Sequence, residues 1–125
     1  MSPGGPRRPR TMTADRRAIA LAVFDAWDAG DRPAIEALLA DDFRFHAPPD
    51  PDLDRAGYFA RCWPHHGGIA RRDIVRAIVD GCEVVVTYEA QREGEPTFRN
   101  TEVITVRDDG TVAIVEVYFG YAVAD

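Results

Sequence analysis

Glu102 is the residue of this sequence whose type and position best suit proton-transfer chemistry. It lies in a run rich in β-branched residues, Thr97 to Val106, which predicts a strand. Side chains alternate along a strand, so Glu102 shares one face with Asn100 and Ile104. A carboxyl group that borders an apolar cavity has its pKa raised by desolvation, which suits general acid or base catalysis near neutral pH. Glu102 is the chief acid-base candidate if this face borders such a cavity.

Two questions about Glu102 stay open at this level. An ion pair with an arginine such as Arg99 or Arg71 would give it a structural role instead. Tyr88, in the preceding run, could face Glu102 across a hairpin, but the turn between them allows two alignments that differ by one residue and would place Tyr88 on opposite faces. Tyr88 is therefore either an assisting catalytic group or a core tyrosine with a satisfied hydroxyl.

Histidines are the other side chains that titrate near neutral pH without any perturbation. His65 and His66 follow Trp63 and Pro64 in a predicted loop that could overhang a pocket. His65 is accordingly a candidate general base or ligand contact, and the alternative is a solvated loop histidine. His46 is expected to alternate away from Phe45 and to point outward.

Metal and cofactor chemistry is not favoured by the motifs. Cys62 and His65 have a C-x-x-H spacing, but a zinc site needs further ligands. Three aspartates between residues 50 and 54 imitate the start of a calcium loop, yet Arg55 and Arg61 occupy the places of its glycine and its bidentate glutamate. There is no phosphate-binding glycine loop, nucleophile elbow or dinucleotide fingerprint. We predict no cofactor and no metal.

Composition narrows the class of protein. A chain of 125 residues, 46% hydrophobic and 29% charged, is typical of one globular domain. The formal net charge of −6 disfavours nucleic acid and anionic membranes as partners. All 15 basic residues are arginine, which excludes a lysine Schiff base. With no apolar run of membrane-spanning length and no signal-peptide pattern, a cytoplasmic location is expected.

Helices are predicted in the first half of the chain, after an arm at residues 1–11 that is rich in proline and arginine and is expected to be disordered. The first helix covers residues 15–29, with Thr13 as its N-cap and Gly30 as its end. Asp31 caps a second helix. A short strand at residues 43–47 follows, and a third helix runs from Asp52 or Asp54 to about residue 63.

The second half is predicted to form a meander of long antiparallel strands. Residues 69–79 lead to Asp80-Gly81, a hairpin signal, and residues 83–91 return. A wider turn at residues 92–96 precedes the run that contains Glu102, and a turn at residues 108–110 leads into residues 111–122. Strands of this length are accommodated by twist and bulges, so the sheet is expected to curve around the helices.

This order of elements, with several local phrases, resembles the nuclear transport factor 2-like superfamily, which contains ketosteroid isomerases and SnoaL-like polyketide cyclases. The phrases are Trp27-Asp28-Ala29-Gly30-Asp31, Leu38-Leu39-Ala40-Asp41-Asp42-Phe43, Val106-Arg107-Asp108-Asp109-Gly110 and Val117-Tyr118-Phe119. The resemblance covers residues 12–125. It implies an α+β, cystatin-like cone, in which three N-terminal helices pack on a curved antiparallel sheet.

The resemblance transfers little of the family's chemistry. The isomerase general base falls on Ala47, and the tyrosine that donates to the oxyanion falls on Val23. The second oxyanion-hole residue falls on Glu102, on the face that the resemblance turns inward. The proposed cyclase aspartate falls near Gly120. One carboxyl group is therefore retained, and neither reaction carries over by name.

The resemblance also implies a pocket for a small molecule and a homodimer formed through the outer face of the sheet, with Glu116 and Tyr118 in the interface. The residues expected to contact a ligand are Trp27, Phe45, Tyr58, Trp63, Asn100 and Phe119. Two functions stay open. One is a cofactor-independent isomerase, cyclase or hydratase that acts on an apolar cyclic or carbonyl compound through Glu102, with His65 or Tyr88 assisting. The other is a non-catalytic ligand-binding or dimerisation module.

Overall fold

A computed structural model describes residues 15–123, which form one layer of helices on one six-stranded sheet. The predicted arm at residues 1–11 lies outside the described residues. In chain order the elements are α1 (Arg16–Ala29), α2 (Arg32–Leu38), β1 (Leu39–Ala47), β2 (Asp50–Asp54), α3 (Arg55–Arg61), a 3₁₀ helix (Trp63–His65), β3 (Ile69–Asp80), β4 (Glu83–Arg92), β5 (Phe98–Val106) and β6 (Val112–Ala122).

Aspartates begin all three α-helices. Asp15 caps α1 by accepting a hydrogen bond from the backbone of Ala18, so the prediction of Thr13 as the cap is wrong. Asp31 caps α2 as expected, and Asp54 rather than Asp52 caps α3. Gly30 ends α1 in the left-handed conformation, with φ of 67°. The third helix is shorter than predicted because a 3₁₀ turn replaces its last residues.

The sheet is mixed, with strand order β2-β1-β6-β5-β4-β3, so the prediction of a purely antiparallel sheet is wrong. The first strand pairs in parallel with β6, and the connection between them is a long crossover that includes all the other strands. The second strand was not predicted at all. Pro48-Pro49 forms the loop of a hairpin between β1 and β2 instead of ending strand structure, and Pro51 is tolerated because β2 is an edge strand.

Register shifts interrupt every strand pairing except β4–β5, and such bulges are the usual means by which a sheet bends. The β3–β4 hairpin turns at Gly81-Cys82, one residue later than the Asp80-Gly81 signal. A positive φ of 63° at Gly81 and none at Cys82 is the pattern of a type II′ turn.

The core lies between α1, α2 and the inner face of the sheet. Eight of its residues have no exposed area: Ala20, Ile35, Val84, Val86, Ala90, Ile104, Val106 and Val112. Inward-facing valines and isoleucines on adjacent strands explain this, since β-branched side chains pack well on a pleated surface. No helix among the described residues is long and apolar enough to cross a membrane.

Candidate functional site: a cavity that contains Glu102

A cavity of about 630 Å³ lies between the helices and the inner face of the sheet. Eight of the nine residues predicted as catalytic or ligand-binding line it. They are Trp27, Phe45, Tyr58, His65, Tyr88, Asn100, Glu102 and Phe119. The ninth, Trp63, is 6% exposed and lies in the core, where its ring packs against Trp27 with centroids 5.4 Å apart and stacks on His66.

The pairing of β4 with β5 decides between the two alignments for Tyr88. Val86 lies opposite Glu102 and Tyr88 lies opposite Asn100, so Tyr88 and Glu102 share the inner face. The Tyr88 hydroxyl donates a hydrogen bond of 2.8 Å to Oε2 of Glu102. The second oxygen of the carboxyl group, Oε1, has no hydrogen-bond partner among residues 15–123.

Glu102 has no ionic partner within the described part of the chain. The two arginines considered as partners are engaged elsewhere, Arg99 with Glu89 and Arg71 with Asp73. Glu102 is half-buried. Part of its surface faces the cavity, and its carboxyl group lies deep inside the protein. Burial raises its pKa, and the hydrogen bond from Tyr88 and the charge of Arg72 oppose this increase only in part.

Arg72 belongs to the site, although sequence reasoning missed it. Its Nε and Nη2 donate to the two carboxylate oxygens of Asp28, both at 2.8 Å. The guanidinium carbon lies 4.9 Å from the Phe24 ring centroid and 4.6 Å from that of Tyr88. A signal did exist, because Asp28 belongs to the motif that carried the resemblance, but its partner lies 44 residues away in the sequence.

Asn100 connects this site to a bulge in β6. Its Oδ1 accepts a hydrogen bond of 3.1 Å from the backbone N–H of Gly120, and its Nδ2 makes a long contact of 3.5 Å with the Tyr88 hydroxyl. Since a backbone N–H can only donate, the amide orientation of Asn100 is determined. The Tyr88 oxygen therefore accepts a hydrogen bond from Nδ2 of Asn100, and the proton of the Tyr88 hydroxyl points to Glu102.

Tyr58 stands in the aromatic wall of the cavity. Its ring contacts Trp27, Phe43, Phe45 and Phe59, with centroids 5.2 to 6.1 Å apart. Burial raises the pKa of Tyr58, and the nearby Glu102 raises it further, so the phenol stays neutral and keeps its proton. Its hydroxyl makes no hydrogen bond to another residue in the range 15–123, which leaves a donor for a ligand.

The remaining polar residues of the lining lie nearer to solvent. His65 is exposed on the 3₁₀ helix, and within the described residues no hydrogen bond joins it to Glu102. Arg61 forms an ion pair with Asp50, and Arg92 lies over the Phe98 ring at 5.1 Å. His66 is not in the lining; its Nδ1 contacts the Trp63 carbonyl at 2.7 Å.

One histidine and the two cysteines lie in three different parts of the structure. His46 contacts the Pro51 carbonyl at the edge hairpin, 2.6 Å from Nδ1, and does not line the cavity. Both cysteines are free thiols, with Cys62 half-buried in the cavity wall and Cys82 exposed in the hairpin loop. No group of three or more histidine, cysteine, aspartate or glutamate residues within 15–123 is arranged to hold a metal.

The helices, the six-stranded sheet and the cavity with its buried carboxyl group define a small α+β domain of the nuclear transport factor 2-like kind. Residues 20–116 match the family described as the SnoaL-like domain. The chain belongs to this SnoaL-like domain family. A comparison with curated proteins gives no match.

Solved structures agree with this fold. A protein from Kribbella flavida, provisionally assigned as a ketosteroid isomerase, is 25% identical with a TM-score of 0.75, covering 90% of this chain and 83% of that one. An LEH-like epoxide hydrolase from Mycobacterium tuberculosis is 22% identical with a TM-score of 0.67, covering 86% and 84%. A de novo designed protein with a curved β-sheet is 17% identical with a TM-score of 0.71, covering 84% of each chain.

Proposed function

We propose that this domain is a cofactor-independent enzyme that binds a small, largely apolar carbonyl compound in the cavity and transfers protons through Glu102. One observation carries the proposal: a carboxyl group without an ionic partner among residues 15–123 borders a cavity of about 630 Å³ and is oriented by a tyrosine. A buried charge is costly, so a purely structural glutamate would be expected to have an arginine partner.

The proposed step is abstraction of a proton from the carbon next to the carbonyl. Oε1 of ionised Glu102 takes the proton, and the electron pair of the C–H bond moves into an enolate. The raised pKa makes this carboxylate a stronger base than an exposed one. The Tyr58 hydroxyl donates to the enolate oxygen, and Glu102 returns the proton to the same or another carbon. No oxidant, reductant or cofactor is required.

Tyr88 and His65 have supporting roles in this proposal. Tyr88 holds Oε2 and leaves Oε1 to the ligand. His65, exposed at the cavity wall, is a proton acceptor or donor that can exchange with solvent when a product leaves. The neighbours assigned as an isomerase and an epoxide hydrolase support small-molecule chemistry on this fold. The designed neighbour is a reminder that the fold alone does not imply an activity.

The test is catalysed exchange of α-protons for deuterium. Cyclic ketones and enones of one to four rings are incubated with the protein in D₂O, and deuterium uptake is followed by mass spectrometry. We expect the wild type to accelerate exchange for part of this panel and Glu102→Gln to lower the rate by about 10²-fold or more. Glu89→Gln, which removes a carboxyl group paired with Arg99 outside the cavity, is the matched control and should leave the rate unchanged.

Two results would refute the proposal. If wild-type protein binds members of the panel without accelerating exchange, the domain is the non-catalytic binding module. If Glu102→Gln retains the full exchange rate, then the catalytic group is not Glu102.

We also propose that the domain forms a homodimer through the outer face of the sheet. Exposed apolar side chains of the outer face lie on two strands: Ile78 on β3, opposite Val85, and Tyr118 and Tyr121 on β6, opposite Thr101 and Arg99. A second copy would cover this surface. Sedimentation at micromolar concentration should show a dimer, and Tyr118→Arg should shift it to monomer; a wild-type monomer under these conditions refutes the assembly.

A further inference from the structure

The cavity wall carries more basic residues than acidic ones, although the chain as a whole is acidic. The chain has 21 acidic and 15 basic residues, but three arginines line the cavity against two acidic residues. The arginines are Arg61, Arg72 and Arg92, and the acids are Asp50 and Glu102. Such a reversal of sign concentrates anions in a cleft.

Arg72 occupies the most enclosed position of the three arginines. Its side chain is 9% exposed, against 62% for Arg61, and the Arg92 residue is exposed. A buried arginine that merely tied α1 to β3 would be expected to border packed side chains, whereas Arg72 borders the cavity. Its position therefore calls for an explanation beyond the bond to Asp28.

The geometry around the guanidinium group leaves one edge without a partner. The edge formed by Nε and Nη2 binds Asp28, and the Phe24 and Tyr88 rings lie within 5 Å of the guanidinium carbon. Nη1 has no hydrogen-bond partner among residues 15–123. The edge formed by Nη1 and the outer hydrogen of Nη2 presents two parallel N–H groups, the arrangement that binds both oxygens of a carboxylate.

We propose that the ligand of this cavity is a small apolar molecule with a carboxylate group, and that this group binds the free edge of Arg72. The apolar part would lie against the aromatic wall formed by Trp27, Phe45 and Tyr58. Asp28 keeps the guanidinium in place, and its negative charge limits how strongly an anion is held. The inference rests on the ligand cavity of the proposed function but not on proton transfer by Glu102, and it identifies the substrate class as an organic acid.

Calorimetric titration with two probes of nearly equal shape tests this inference. The probes are 2-naphthoate and its neutral analogue 2-naphthamide, each titrated into the whole chain at about pH 7, where the naphthoate is ionised. We expect wild-type protein to bind 2-naphthoate about tenfold or more tightly than 2-naphthamide, as charge-assisted hydrogen bonds require.

Variants of the Asp28–Arg72 pair distinguish recognition from a structural role. Removing Arg72 alone would leave Asp28 without its partner, so the main variant is Asp28→Asn/Arg72→Gln, which removes both charges together. It should bind 2-naphthamide as the wild type does and lose the preference for 2-naphthoate. Asp28→Asn alone, which leaves the positive charge uncompensated, should increase that preference. Arg71→Gln, at an exposed neighbour outside the cavity, is the matched control and should change nothing.

Three results would overturn the inference: equal affinity of the wild type for both probes, no binding of 2-naphthoate by folded wild-type protein, or an unchanged preference in the folded double variant. Glu102→Gln separates this question from the proposed reaction. It should abolish deuterium exchange and keep the preference for the carboxylate. Loss of exchange activity without loss of this preference would leave the binding inference intact.

Discussion

The interior of the molecule has two ends that share the same pair of strands. At one end, the β4–β5 pair Val84 and Ile104 is completely buried, in the same hydrophobic cluster as Ala20 of α1. Four residues further along β4, the pair Tyr88 and Asn100 borders the cavity. We refer to these as the closed end and the open end. Glu102, opposite Val86, lies between them.

The backbone does not explain this difference, because the β4–β5 pairing continues through both ends without a register shift. The side chains and their covering elements do explain it. Small and β-branched residues fill the closed end, whereas large rings at the open end contact one another and leave space between them. Close packing at the closed end stabilises the fold. The cavity and the buried polar groups make the open end less stabilising.

Ile104→Ala at the closed end should produce the largest loss of stability. The side chain is completely buried, so its truncation leaves a cavity and should lower the free energy of unfolding by about 2 to 5 kcal/mol. The catalysed exchange of substrate α-protons for deuterium, per folded molecule, should be unchanged below the melting temperature. Urea denaturation measures the first effect. Val103→Ala, on the opposite face of the same strand, is the control; an equal loss there would mean that the two faces do not differ as described.

Gly120→Ala at the open end should have the next largest effect. A Cβ atom at residue 120 would lie 2.0 Å from the carbonyl oxygen of Arg99, so the bulge in β6 must move. We expect a loss of about 1 to 3 kcal/mol, the usual cost of forced overpacking. The hydrogen bond from residue 120 to Asn100 should break as well, visible as a chemical-shift change of the Asn100 side-chain amide. Gly68→Ala is the control, because its Cβ would make only an ordinary contact of 3.4 Å and stability should be nearly unchanged. Gly94→Ala would not serve, because φ at Gly94 is positive.

The two ends also differ in how much of them could be predicted from sequence. The strands of the closed end follow from β-branched runs and turn residues, and the aspartate and glycine signals predicted most helix boundaries. The parallel neighbour of β1 could not be predicted, since nothing local indicates which distant strand will lie beside it. At the open end, the inward position of Glu102 followed from strand alternation together with the family resemblance. The alignment of Tyr88, the pairing of Arg72 with Asp28 and the bond between Asn100 and Gly120 depend on turn geometry, long sequence separation and a bulge.

The free energy of unfolding should depend on pH through Glu102, because ionisation of this buried carboxyl group destabilises the open end. In the unfolded chain its pKa is near the ordinary value of 4.5, and burial raises the folded value above this. Below both values the group is protonated in both states and costs nothing. Between the two pKa values the folded state holds a proton that the unfolded state has lost. The free energy of unfolding therefore decreases as pH rises towards the folded pKa. Glu102→Gln should flatten this part of the curve relative to Glu89→Gln, as measured by urea denaturation across the pH range. Curves of the same slope would mean that Glu102 titrates normally.

Tyr88→Phe should have the smallest effect on stability, but it should change the pKa of Glu102. The ring stays in place, so the free energy of unfolding at neutral pH should change by about 1 kcal/mol or less, the net worth of one hydrogen bond. The hydroxyl now lowers the pKa of Glu102 by donating to Oε2, and its removal should raise that pKa further. Carbon-13 NMR of the labelled Glu102 carboxyl group gives its titration midpoint directly. Tyr118→Phe, on an exposed residue of the outer face, should leave the midpoint unchanged. A midpoint that falls in Tyr88→Phe would show instead that the Tyr88 hydroxyl accepts a hydrogen bond from neutral Glu102, the reverse of the direction described here.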